Sequence, residues 1–171
     1  MKKHLIIIGF MGTGKTTVGK QVAALLDLPW LDTDQRLEEK WGYSIAHFFQ
    51  AYGEPAFRDE ETEMLQQILH SPNPTLITTG GGIVLRPENQ MMMKQKGWVI
   101  SLTAQPEEVI RRLQTDQTRP LLQGNIEERV RQLFVERMGK YDFADLLIDT
   151  THRSIQEVME QICMFWNDKQ V

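Results

Sequence analysis

One cysteine, Cys163, stands among the 171 residues, so neither an intrachain disulfide nor a cysteine-based metal cluster can form. That usage fits a reducing compartment, and Cys163, flanked by Ile162 and Met164 in a helical pattern, reads as a packing residue. Positive charge is scarce: 19 Lys and Arg oppose 23 Asp and Glu, a formal net charge of −4 with no overall field to hold a phosphate backbone. Nucleic acid is disfavoured as the main partner, and any anionic ligand must be held by a local cluster of donors. Long hydrophobic runs are missing too. No segment approaches the ~20 apolar residues needed to span a bilayer. The basic, apolar start MKKHLIII leads into glycines and a lysine, not into a small-residue cleavage site. The expectation is a cytoplasmic chain with no membrane contact, folded as a single domain over residues 1–171.

Short apolar runs at 5–8, 76–79, 98–102 and 146–148, with a weaker one at 29–31, carry several β-branched residues and read as buried parallel strands. Helical patterns at 15–26, 55–69, 87–96, 106–113, 126–138 and 155–166 alternate with them, which indicates an α/β fold. Two segments break the alternation. Residues 34–52 read as two short helices broken at Gly42, part of a substrate-covering region over 33–61. Residues 114–125 are polar around Arg119 and Pro120 and read as a lid or a plain surface connection.

Residues 9–16 read GFMGTGKT, a match to G-x-x-x-x-G-K-[ST], with a buried strand before it and an amphipathic helix after it. Gly9, Gly12 and Gly14 allow backbone conformations that turn successive N–H groups toward phosphate oxygens, and the following helix adds its N-terminal dipole. Lys15 is placed to reach the β- and γ-phosphates and Thr16 to ligate Mg²⁺. A guanine-selective Asn-Lys-x-Asp motif is absent, and the strand at 76–79 runs into Gly80-Gly81-Gly82 where a motor ATPase would place an aspartate.

A metal-facing acid must therefore come from elsewhere, and Asp32 and Asp34 in LDTD are the candidates. Two positions apart in an extended segment, their carboxylates would share one side at the C-terminal edge of the sheet, one assisting Mg²⁺ and the other meeting the attacking hydroxyl. Helix N-capping by Asp34 is the competing reading. Arg58 can serve a surface salt bridge with Glu54 or Glu61, and Arg137 and Tyr141 lie i,i+4 at a helix end. A kinase for a small acid would instead use such guanidinium forks on the acid's carboxylate. Three glycines at a strand end make sense where a ligand presses on the backbone, although a tight turn would also use them.

Together GFMGTGKTTVGK at 9–20, LDTD at 31–34, GYSIAHFF at 42–49, GEPAFRDEE at 53–61, TGGGIV at 79–84, TRPLL at 118–122 and ERMGKY at 136–141 resemble the shikimate kinase family, in its order and spacing over nearly the whole chain. The resemblance implies a three-layer P-loop kinase fold of the nucleoside-monophosphate-kinase type, with a five-stranded parallel sheet in order 2-3-1-4-5, a substrate-binding subdomain and a lid. It implies transfer of a phosphoryl group from ATP to the 3-hydroxyl of shikimate, with Mg²⁺; a monomeric or weakly associating enzyme is expected. Carried over position by position, Lys15, Asp34 and Arg119 would be catalytic. Asp34 would bind the reacting diol; Arg58, Arg137 and the Gly81 backbone would hold the carboxylate, with Gly80 and Gly82 also in the substrate-binding turn; Phe49 and Phe57 would line the ring pocket. Nucleotide would meet Gly12, Thr13, Gly14, Lys15, Thr16, Thr17, Arg112, Arg119 and Arg153, with Arg112 stacked on adenine. Thr16 and Asp32 would serve the metal. Ile155 stands where many members place a proline against the base. A gluconate or nucleoside-monophosphate kinase, and a nucleotide-dependent binding module, are the alternatives.

Overall fold

The computed structural model describes residues 2–114 and 125–170. Five parallel strands, β1 (His4–Gly9), β2 (Trp30–Asp32), β3 (Leu76–Thr78), β4 (Gly97–Thr103) and β5 (Leu146–Asp149), form one sheet in the order β2-β3-β1-β4-β5. The strand order resemblance implied is the order found.

The reason β1 occupies the centre lies in its side chains. Leu5 and Ile7 point to one face, Ile6 and Ile8 to the other, and all four are fully buried. On the first face they meet Val18 and Val22 of α1 (Lys15–Leu25) and Val158 and Ile162 of α7 (Ile155–Gln170). On the second they meet Leu37 of α2 (Thr33–Trp41), Leu65 and Ile68 of α3 (Ile45–Leu69) and Met93 of α4 (Pro87–Lys96). A third cluster joins Phe10 and Met11, just past β1, to α5 (Pro106–Leu113) and α6 (Ile126–Glu136). Pro87 and Pro106 each open their helix, where a missing N–H costs nothing.

Local chemistry sets the remaining breaks. Gly42, at φ 76°, terminates α2 in the left-handed region, and Ser44 starts α3 by accepting the His47 N–H. The break expected at Gly42 is present. The second short helix does not end before residue 55, however: it runs into the long helix through a kink at Gly53, φ 80°, two residues before Pro55. α6 ends at Glu136, short of the expected 138, because Arg137 caps it and Gly139, φ 73°, turns the chain. Arg137 and Tyr141 therefore belong to a turn, not to the helical i,i+4 pair their spacing suggests. Among the described residues no helix is long and apolar enough to cross a membrane.

Candidate active site

All the loops of interest leave the C-terminal ends of neighbouring strands: residues 9–16 after β1, α2 after β2 and Gly80–Gly82 after β3. Ligands of open α/β sheets gather at this edge, where the chain crosses from one side of the first strand to the other.

In the phosphate loop Gly9, Gly12 and Gly14 all have positive φ, as expected; at Gly9 a Cβ would collide with the Leu102 carbonyl of the adjacent strand. Thr13 is buried and spends its hydroxyl inside the loop, donating to Phe10 O at 2.8 Å. Lys15, only 8% exposed, lays its ammonium across the loop and donates to the same carbonyl at 2.9 Å. A cavity of about 570 Å³ beside the loop is lined by Gly12, Thr13, Gly14, Thr17, Arg112, Arg153 and Ile155, which gathers six of the nucleotide-side residues with the isoleucine. Arg112 has further work there. It pairs with Glu108 at 2.7 Å and donates to Gly12 O and Thr150 O, tying the phosphate loop to the turn before α7.

The two aspartates are not side by side on an extended segment. β2 ends at Asp32 and α2 begins at Thr33, so the chain turns between them. Asp32, not Asp34, is the N-cap: its Oδ1 accepts from the N–H groups of Asp34 and Gln35, and its Oδ2 from Thr16 at 3.2 Å and Thr78 at 2.6 Å. Asp32 thus faces the phosphate loop with each oxygen already accepting two bonds. Asp34 lines the other cavity.

That cavity, about 500 Å³, lies between α2, α3 and the Gly80–Gly82 turn and includes Asp34, Phe49, Phe57, Arg58, Glu61 and Arg137. The three glycines grade its chemistry. A Cβ on Gly80 would lie 2.6 Å from Asp34 Oδ1 and 2.9 Å from Glu61 Oε1; one on Gly81 would lie 3.2 Å from Arg137 Nη1; one on Gly82 would run into the Arg58 guanidinium. Along one short turn, the wall changes from carboxylate to guanidinium. Phe49 and Phe57 rings, 4.6 Å apart, form the apolar side, with the Arg58 guanidinium 5.0 Å above Phe57.

Arg58 forms the ion pairs its spacing allows, with Glu61 at 2.6 Å and Glu54 at 3.0 Å, but does so buried in the cavity wall and not at the surface. Arg137 is 3% exposed, and its Nε and Nη1 find no hydrogen-bond partner among the described residues. Buried guanidinium donors left open in a cleft suit an anionic ligand group. Arg119 lies outside the described residues.

Glu61 is the residue the sequence reading passes over. Fully buried, it is pushed up to about 7 by desolvation, with Arg58 pulling it down and the Asp34 charge pushing it up. A patterned helix surface gave no signal for this; only its i,i+3 relation to Arg58 did. Because its folded value exceeds the ordinary 4.5, folding takes up a proton between these values, so its stabilisation is full below about 4.5 and lost as pH rises through about 7. Urea midpoints of Glu61→Gln and the unaltered chain, compared from pH 5 to 8, should converge or cross in favour of the variant with rising pH; parallel profiles would contradict the shift.

Comparisons with known proteins point to one family. The family model for shikimate kinase matches residues 11–166. A shikimate kinase of Bacillus cytotoxicus is 45% identical over 160 residues, covering 94% of this chain and 96% of its own. One of Pelotomaculum thermopropionicum is 40% identical over 164 residues, covering 95% of each. The solved structure of shikimate kinase from Acinetobacter baumannii in complex with shikimate superposes with a TM-score of 0.92 at 32% identity, covering all of this chain and 96% of that one. With its P-loop, its five-stranded order and the match to the family model over most of its length, the chain belongs to the shikimate kinase family.

Proposed function

We propose that the two cavities hold the two substrates of this family's reaction, ATP-dependent phosphorylation of shikimate, and that the residues named above divide the work. The observation that carries the assignment is the graded Gly80–Gly82 wall, which would offer Asp34 to a hydroxyl and Arg58 and Arg137 to a carboxylate along one short turn. A ring lying against Phe49 and Phe57 with its acid group at Gly81 and Gly82 would bring a hydroxyl to Asp34. On the nucleotide side Lys15 leaves the Phe10 carbonyl for the terminal phosphates, and in-line transfer proceeds by positioning and electrostatic stabilisation. Arg119 belongs to the same proposal as the cation of the lid over 114–125.

Mg²⁺ fits the residues present. Thr16 donates its hydroxyl proton to Asp32, which leaves its lone pairs available to a cation. Asp32, already accepting four bonds, would act through water, and the ion when bound would neutralise phosphate charge. A cytoplasmic monomer without nucleic-acid partners completes the reading.

Coupled ADP release tests it: shikimate should stimulate turnover far above the ATP-only rate, and gluconate or a nucleoside monophosphate should not. No stimulation by shikimate would overturn the assignment, and ATP binding with no acceptor at all would favour a binding module. For Arg58→Ala the shikimate KM is expected to rise about 10- to 100-fold, the scale of a lost charged hydrogen bond, with ATP affinity little changed. An effect confined to ATP would move Arg58 to the nucleotide side.

A further inference from the structure

The turn that grades the acceptor cavity is made of the three most permissive residues available, yet it must present one N–H in one direction. An unrestrained glycine backbone spends about 1–2 kcal/mol per residue in conformational entropy when it is fixed. Two hydroxyls, from Thr33 and Tyr141, bond to this turn. Thr33, fully buried in the first turn of α2, accepts the Gly80 N–H at 3.2 Å. Tyr141 Oη donates to Gly81 O at 2.7 Å.

These bonds fix the peptide group before Gly80 and the one after Gly81, the two planes that flank the Gly80–Gly81 peptide. The Gly81 N–H belongs to that middle peptide. A Cβ on Gly81 would lie 3.2 Å from Arg137 Nη1 and 3.3 Å from Gly9 O and Met11 N, so the turn packs closely against Arg137 and the phosphate loop. Burial raises the Tyr141 phenol above its ordinary value and keeps it a donor. The turn at Gly139 is what brings Tyr141 under Gly81.

We infer that Thr33 and Tyr141 are positioning residues for the acceptor: their hydroxyls lock the planes on either side of Gly81 so that its N–H stays aimed at the substrate carboxylate. The inference rests on the carboxylate assignment proposed above. The Gly80 N–H, engaged by Thr33, is then a strut and not a substrate donor.

Steady-state kinetics of the full chain test this with Tyr141→Phe, Thr33→Val and Thr33→Ser, beside Arg137→Lys. Tyr141→Phe and Thr33→Val should each raise the shikimate KM about three- to tenfold, the scale of one hydrogen bond, with ATP KM and kcat within about twofold. Thr33→Ser should restore the KM. A shikimate analogue with hydroxymethyl in place of the carboxylate should bind Tyr141→Phe and the unaltered chain alike. Unchanged shikimate KM in both hydroxyl deletions, beside a raised KM in Arg137→Lys, overturns the inference alone. Unchanged KM in Arg137→Lys as well overturns the carboxylate assignment and the inference with it. Equal rises for ATP and shikimate, with a lowered melting temperature, would make the hydroxyls merely structural and also overturn it.

Discussion

Lys15→Ala is expected to lower kcat by about 10³-fold, roughly 4 kcal/mol of transition-state stabilisation, the scale found when a preorganised charge-stabilising donor is removed. Its ammonium sits 2.9 Å from Phe10 O, inside the loop proposed to hold the phosphates. The variant should nevertheless fold. Phe10 O also accepts from the Thr13 hydroxyl at 2.8 Å, so removing Lys15 leaves that buried carbonyl satisfied. Loss of turnover with an almost unchanged melting temperature is therefore the expected pair of results. Single-turnover kinetics at saturating ATP would measure it, and a rate within tenfold of the unaltered chain would remove Lys15 from the chemistry.

That loop was also the part most legible in the sequence, because its residue types leave little choice. A strand buried on both faces must be apolar at every position, as residues 5–8 are, and a loop with three positive-φ sites must place glycine there. The acceptor side was legible as composition but not as geometry. Asp32 and Asp34 do not share an extended segment: alternation holds only within a strand, and the strand ends at Asp32. Asp32, a metal candidate by its residue type, is the helix cap, a role that the position of a carboxylate at a strand-to-helix junction allows. Arg58 reads as a surface salt bridge or a ligand group, and the fold forms the salt bridge but buries it in the cavity wall. Glu61 and Tyr141 depend on what packs above them, a buried ion pair and a turn at Gly139, and neither has a periodic signature.

The division between the aspartates makes Asp34→Asn the sharpest test of the chemistry. Asn keeps the size and the hydrogen-bond acceptor of the side chain and loses its ability to take a proton. If Asp34 receives the hydroxyl proton, kcat should fall by about 10²- to 10⁴-fold, the range of general-base contributions, while ATP KM stays within twofold. If Asp34 only aligns the hydroxyl, the amide carbonyl can do the same and the fall should stop near tenfold. A second consequence separates a local effect from general damage. The Asp34 charge is one of the influences that raise Glu61, and both carboxylates abut Gly80. Removing that charge should move the Glu61 titration below about 7, so the stability of Asp34→Asn should shed its pH dependence at a lower pH than the unaltered chain does. Lost turnover with an unmoved Glu61 midpoint would mean that the two carboxylates do not share the site that their contact with Gly80 describes.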